Sequence, residues 1–371
     1  MWSYIEGRDV KGNEIGQKSA ELKNGIVELK LKKTLVIDSL LIDEKNPPLF
    51  SSAKKSEEKN LMLLLSRKPK LELFSFDGKG SLMSRFLSKG EGPGELPELD
   101  SFQIVDDIIV VTGFKKMITY NMNGKLIDEN KLEGIVSYFK YFIDKERYIC
   151  NISERDESGE LIRHLVIKNI KSAEIVASFC KDEKRRDIGV TMVLNNQLYH
   201  DWITPDYKFV FLPGRNCIVC GVSDSDQLYL KDLQGKTIKT AKINFTKRTV
   251  TPEESNQLID SCSKLREYPD LYNGFIKKIP NEFLIIMDIK LMPQDHFAVF
   301  LGTGFKKYAI KIFDKDLDYL FDIKFPDNVA SRIQDLRDIN FYEKGFFVIE
   351  DTDEENQYVE YKIENLKQIF E

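Results

Sequence analysis

Along most of the chain, short apolar runs of alternating or continuous pattern are separated by turns built from Asp, Asn, Gly and Lys, which is the signature of β-strands. One unit, an alternating strand followed by such a turn and another strand, returns six times. Its copies run over 71–79 (LELFSFDGK), 117–125 (MITYNMNGK), 164–171 (HLVIKNIK), 228–236 (LYLKDLQGK), 308–315 (YAIKIFDK) and 358–365 (YVEYKIEN). Successive turns lie about 46 to 80 residues apart, enough for four strands plus insertions. A second, independent set of turns precedes the first: Glu58-Lys59, Asp106-Asp107, Lys145-Glu146, Pro213-Gly214, Gln294-Asp295 and Glu343-Lys344. Each unit therefore reads strand, turn, strand, loop, strand, turn, strand.

A four-stranded sheet cannot bury both of its faces alone, whereas radial packing of six sheets covers every face and leaves only short edges. The pattern thus predicts an all-β fold, a six-bladed β-propeller with four-stranded antiparallel blades over residues 46–371. Two packed sandwiches would not require a unit recurring with this phasing. Residues 1–45 read as an N-terminal lead whose segment 34–42 resembles a fourth strand without its predecessors, while the last unit ends in a short run, 366–370. The lead is expected to pair with the last blade and close the ring. One helix interrupts the strands at about 251–270: Thr251 as N-cap, Pro252 at the first helical position and Glu254 three residues after the cap form its start.

Composition narrows the function. At 371 residues, a prior of about 150 per domain suggests two or three domains, and the repeat replaces that with one ring. The net charge of −5 argues against a general nucleic-acid binder. No run approaches the roughly 20 apolar residues of a membrane helix, and the first residues show neither the basic nor the apolar region of a signal peptide. Five cysteines, with Cys150, Cys217 and Cys220 inside apolar runs, make a disulfide framework improbable. A monomer is expected.

Propeller topology sorts the loops. Both sets of marker turns fall on one face, and the blade-to-blade links and second-to-third-strand loops fall on the other. The long insertions, 181–206 and 251–275, belong to that second face, which is where binding is expected. The link between the first two units carries Gly90-Glu91-Gly92-Pro93-Gly94-Glu95-Leu96, a tight turn in which glycines allow positive φ. It lacks the Gly-Lys-Ser/Thr ending and following helix of a phosphate loop. An identical pentapeptide, Thr-Gly-Phe-Lys-Lys, occurs at 112–116 and 303–307, in blades two and five, which face each other in a ring of six. Phe114, Lys115 and Lys116 with Phe305, Lys306 and Lys307 are candidates for holding an anionic or sugar ligand, though ordinary solvated turns explain them equally well. The matching loops of other blades are acidic: 154–160, Asp224 and Asp226, and 351–355.

Gly90 to Leu96, preceded by Phe76-Asp77-Gly78-Lys79 and followed by a strand from Phe102, resembles a family of six-bladed propellers common in Bacteroidetes-type bacteria. Those proteins are similar to the wider NHL and TolB-like propellers. The resemblance covers about residues 70–126, and it implies an exported, periplasmic or surface lipoprotein.

Catalysis finds little in the residues. His200, beside Asp201 and Trp202, is the one histidine on the favoured face, without a Gly-x-Ser-x-Gly elbow. His164 and His296 read as packing or edge residues. Cys217 and Cys220, three apart in a strand, point to opposite faces and suit no zinc site. The run 351–356 is rich in oxygen ligands but lacks the glycine and final glutamate of a calcium loop. The reading is a non-enzymatic propeller binding a protein, glycan or small molecule, without cofactor, on its loop-rich face; candidate residues are Glu91, Glu95, Phe114, Lys115, Lys116, His200, Trp202, Phe305, Lys306 and Lys307. The alternative is a lactonase-like, metal-dependent hydrolase or lyase using calcium in the channel.

Overall fold

The computed structural model describes residues 22–23, 25–39, 42, 47–113, 116–132, 140–155, 161–179, 185–186, 206–261, 273, 281–304, 307–333, 335–351 and 356–366. Blade one runs Leu49–Ser56, Leu61–Lys68, Glu72–Asp77 and Leu82–Phe86, hydrogen-bonded in that order. Blade two is Ser101–Val105, Ile108–Thr112, Lys116–Asn121 and Leu126–Lys131. Blade three is Lys140–Phe142, Arg147–Arg155, Leu161–Asn169 and Ile175–Phe179. Blade four is Tyr207–Leu212, Cys217–Val222, Gln227–Asp232 and Thr237–Lys242. Blade five is Ile286–Leu291, Phe297–Gly304, Lys307–Phe313 and Tyr319–Lys324. Blade six combines Asn340–Tyr342, Gly345–Asp351 and Asn356–Ile363 with Leu31–Asp38 from the other end of the chain. The protein is a six-bladed β-propeller.

The second strand of each blade is apolar on both faces because a neighbouring blade covers each. In blade one Leu61, Leu63 and Leu65 pack with Phe102, Ile109 and Val111 of blade two. Met62 and Leu64, pointing the other way, pack with Phe347 and Tyr358 of blade six. Similar clusters fill the junctions of blades two and three, three and four, four and five, and five and six. Cys217 and Cys220 divide as the strand period requires, the first among residues of blade five and the second among those of blade three.

The turns between third and fourth strands share one device. Asp77, Asn121, Asp232 and Asp314 each accept, through Oδ1, the backbone N–H groups two and four residues onward, and Asn169 accepts those two and three onward. All six third-to-fourth pairings carry a register shift, in blades one to five beside the turn, which bends and twists the blade there.

The N-terminal lead supplies the fourth strand of blade six. The closing strand is Leu31–Asp38 and pairs antiparallel with Asn356–Ile363, so it starts three residues before 34 and ends at Asp38. The lead also does something the pattern did not suggest: Ile26–Glu28 adds in parallel to the outer strand of blade five, Ile26 opposite Asp322. One short segment thereby ties two blades together. Asn365 completes the join, its Oδ1 accepting the Lys30 N–H at 3.0 Å and its Nδ2 donating to the Glu28 carbonyl at 3.1 Å. The helix Pro252–Ser261 forms between blades four and five, with the expected reciprocal cap: the Glu254 N–H donates to Thr251 Oγ1 at 3.3 Å, and Glu254 Oε2 accepts the Thr251 N–H at 3.1 Å. The run 367–370 and the helix beyond Ser261 lie outside the described residues.

Candidate functional site: the loop-bearing face and the channel

The glycine-rich link between blades one and two is built around one carboxylate. Ser88–Lys89 pairs in parallel with Glu95–Leu96, and the Gly90 N–H donates to the Leu96 carbonyl at 3.1 Å. The Glu95 side chain folds back inside this ring and accepts the Gly92 N–H at 2.9 Å. A Cβ on Gly90 would stand 2.1 Å from Glu95 Oε2, and one on Gly92 2.9 Å from it, so a side chain at either position would displace the carboxylate. Gly94, with φ +72°, supplies the positive φ that closes the turn.

Blade two then clamps the loop. Lys116 Nζ donates to the carbonyls of Gly92 at 2.8 Å and Glu95 at 3.1 Å and pairs with Glu129 at 2.8 Å. The Gly94 N–H donates to the same Glu129 carboxylate, and the Tyr120 hydroxyl donates to the Gly94 carbonyl at 2.9 Å. Burial, reinforced by the Glu129 charge, pushes Tyr120 up to about 12. Burial alone would raise Glu129, but the Gly94 N–H and Lys116 outweigh it and hold the carboxyl below its usual range. Glu91 is the exposed acid of the motif.

The two pentapeptides have diverged in what their final lysine does. Lys116 is committed to the loop, whereas Lys307 is exposed and its ammonium has no partner among the described residues. Lys307 stands beside an ion pair of Arg248 and Glu254: a Cβ on neighbouring Gly304 would meet Arg248 Nη2 and Glu254 Oε1, each at 2.9 Å, and Lys307 Cδ at 3.3 Å. The Arg248 guanidinium also covers the Phe283 ring at 5.0 Å. Glu91, Glu95 and Lys116 thus gather at blades one and two, and Lys307 stands opposite, on blade five. Phe114, Lys115, His200, Trp202, Phe305 and Lys306 lie outside the described residues. His164 is buried in the third strand of blade three, and His296 precedes a strand of blade five with Nδ1 3.0 Å from the Pro293 carbonyl.

Two polar features of the blade interiors escaped the sequence reading. Between blades three and four, the Asp206 carboxylate accepts the Tyr207 N–H at 2.8 Å and Asn151 Nδ2 at 3.4 Å, while Asn151 Oδ1 is buried without a hydrogen-bond partner among the described residues. Burial, with the Lys290 charge, lowers Lys54 on the first strand of blade one to about 8, partly opposed by Asp288, and Asp288 and Lys290 on the first strand of blade five are themselves paired at 3.1 Å. Their signal in the sequence is the appearance of charges at alternate positions of an otherwise apolar first strand, Asp288 and Lys290 within Ile286–Leu291. Among the described residues, no group of three or more His, Cys, Asp and Glu side chains is placed to hold a metal ion.

Fold and site together define a six-bladed propeller with one face closed by tight turns and the other carrying the longer links. Residues 54–213 match the DUF5128 family, described as a 6-bladed beta-propeller. Among solved structures, the chain is similar to a member of the DUF4221 family from Bacteroides vulgatus, at 12% identity and a TM-score of 0.54 over 90% of this chain and 98% of the other. It is also similar to a protein of Bacteroides fragilis described as exported, at 13% identity and a TM-score of 0.49 over 91% and 99%. At these identities the likeness concerns the fold. No curated protein matches the sequence. No helix among the described residues is long and apolar enough to cross a membrane.

Proposed function

We propose that the protein is a non-enzymatic binding scaffold that receives a protein, glycan or small-molecule ligand on its loop-bearing face. The observation that carries this reading is the Gly90–Leu96 loop: Lys116, Glu129 and Tyr120 hold its backbone in one conformation while Glu91 stays exposed at its tip. A loop fixed in advance loses little conformational freedom on association, which favours binding. Lys307, exposed on the opposite blade and without an ion-pair partner among the described residues, is the second contact in this reading, with Lys115, Lys306, Phe114, Phe305, His200 and Trp202 as further members of the same face. Kinship with NHL and TolB-like propellers and export to the cell envelope, as a periplasmic or lipid-anchored protein, belong to the same proposal and rest on the resemblance of the first two blades.

A panel of anionic glycans and acidic or basic peptides tests it. Glu91→Arg and Lys306→Ala/Lys307→Ala should each change the panel profile while leaving thermal unfolding in place. Profiles identical to that of the unaltered protein would remove the loop-bearing face as the site. Fractionation of cells expressing the complete gene tests the location.

A further inference from the structure

We propose that the loop-bearing end of the seam between blades three and four holds a primary ammonium group of the ligand, received by the Asp206 carboxylate and the Asn151 side-chain carbonyl. The inference rests on the reading of that face as the binding face and names the chemistry accepted at one point of it.

Asn151 lies on the second strand of blade three, Arg147–Arg155, two residues beyond Ile149 and on the same side. Ile149 packs with Tyr207 and Phe211 of blade four, so Asn151 faces blade four where that apolar cluster ends. Asp206 stands just before the first strand of blade four, Tyr207–Leu212, and its backbone is fixed from both sides: its N–H donates to Ser223 Oγ at 2.8 Å, and its carbonyl accepts the Ser223 N–H at 3.0 Å. Ser223 is anchored in turn, its carbonyl accepting the N–H groups of Ile285 and Ile286 at 2.6 and 3.0 Å. The two side chains meet between the blades, Asn151 Nδ2 3.4 Å from Asp206 Oδ1, at 5% and 7% exposure.

That contact leaves both groups short of partners. Its 3.4 Å exceeds the about 2.7 to 3.2 Å of an ordinary N–H···O bond. Asn151 Oδ1, on the same amide, is enclosed without a hydrogen-bond partner among the described residues. Other amides at blade junctions use both ends: Gln103 on the Phe142 backbone, Asn356 on the Phe50 backbone, and Asn365 on Lys30 and Glu28. Asp206 accepts the Tyr207 N–H at 2.8 Å but has no ion-pair partner among the described residues; Lys208, two residues along the strand, forms no pair with it. Asp224, next to Ser223, brings a second carboxylate to the same end of the blade. An enclosed carboxylate without a cation and an enclosed carbonyl without a donor are each unfavourable, and one group answers both. An ammonium ion carries one positive charge and three N–H donors. It replaces the long amide contact, and the Asn151 amide turns its oxygen toward it. A divalent metal ion suits the place less: calcium takes about six to eight oxygen ligands, and no group of three or more His, Cys, Asp and Glu side chains among the described residues is placed to hold one.

Thermal unfolding with methylammonium chloride tests the proposal, tetramethylammonium chloride at the same concentration serving as a cation without N–H donors. The unaltered protein should show a saturable rise in Tm with methylammonium and none with tetramethylammonium. Glucosamine and Nα-acetyl-lysine amide, run in the same way, tell whether a sugar amine or a peptide amine is accepted. Asp206→Asn keeps the acceptor for the Tyr207 N–H and removes the charge; it should weaken the apparent affinity at least tenfold. Asn151→Leu should do the same, and Asn151→Thr repeats that test with a smaller polar side chain. Isothermal titration calorimetry reads the same affinities without reference to stability. A panel profile altered by Glu91→Arg, with no amine response in the unaltered protein, would refute this site and leave the loop-bearing face as the binding face. No saturable response to methylammonium, an equal response to tetramethylammonium or to calcium chloride, or equal affinities in the unaltered protein and the Asp206 and Asn151 variants would overturn the proposal.

Discussion

Closure of the ring rests on a few residues of the N-terminal lead, and Leu29 measures it. Leu29 links the strand added to blade five with the strand that completes blade six; it is 2% exposed among Phe325, Ile323, Ile363 and their neighbours. Its N–H donates to the Lys324 carbonyl at 3.0 Å, so the side chain is fixed at the junction by the backbone. Truncating a fully buried leucine removes its transfer free energy and leaves a cavity, together about 2 to 5 kcal/mol. We expect Leu29→Ala to cost about 3 kcal/mol. Val36, on the same lead but 43% exposed, should cost under about 0.5 kcal/mol as alanine. Equilibrium urea unfolding followed by circular dichroism reads both, the difference appearing in the midpoint with the slope retained. Asn365→Ala, which frees the Lys30 N–H and the Glu28 carbonyl, should cost about 1 to 2 kcal/mol and couple with Leu29→Ala, since both act on one junction. If Leu29→Ala costs no more than Val36→Ala, the lead does not hold the ring shut and the reasoning fails.

The seam between blades six and one contains a buried ion pair, Lys55 with Glu360, at 11% and 6% exposure. Glu360→Gln should destabilise by about 3 kcal/mol, because Lys55 stays buried without its partner, while Lys55→Met/Glu360→Met should recover part of the loss; urea midpoints of the two variants decide it. In the glycine loop, Gly90→Ala drives Glu95 from its place, so proteolysis between residues 88 and 96 should become faster than in the unaltered protein. Stability should rise with pH above about 8. Lys54 releases its proton near 8 when folded and near 10.5 when unfolded, so between those values the unfolded chain binds more protons and loses ground. The difference corresponds to at most about 3 kcal/mol. Urea midpoints at pH 7.5 and 9.5 should therefore differ less for Lys54→Met than for the unaltered protein, and equal slopes would refute the assignment.

The ring was legible because burial of both sheet faces forces a repeating pattern, and because its turns need the residue types that make them. Asp77, Asn121, Asp232 and Asp314 stand in the sequence where the structure uses their side chains to close turns. Leu317 shows where that rule gives way. It occupies φ +64°, where blades one, two and four use Gly80, Gly124 and Gly235, yet it is a leucine 2% exposed. Packing in the cluster between blades four and five offsets the strain of the left-handed backbone. The parallel strand Ile26–Glu28 was not legible, since three residues carry no period and their partner lies at the far end of the chain.

Site residues were harder to read because a lysine's role is set by what other strands bring to it. Thr-Gly-Phe-Lys-Lys is the same in blades two and five, and local chemistry gives its final lysine one meaning in both. The structure gives it two, because Glu129, on the strand beside Lys116, aligns that ammonium with the carbonyls of Gly92 and Glu95. Lys307 has no such carboxylate among the described residues and stays free for solvent or ligand. The same argument separates Lys54 from Lys55: adjacent in sequence, they point to opposite sides of one strand, and only Lys55 meets a buried glutamate.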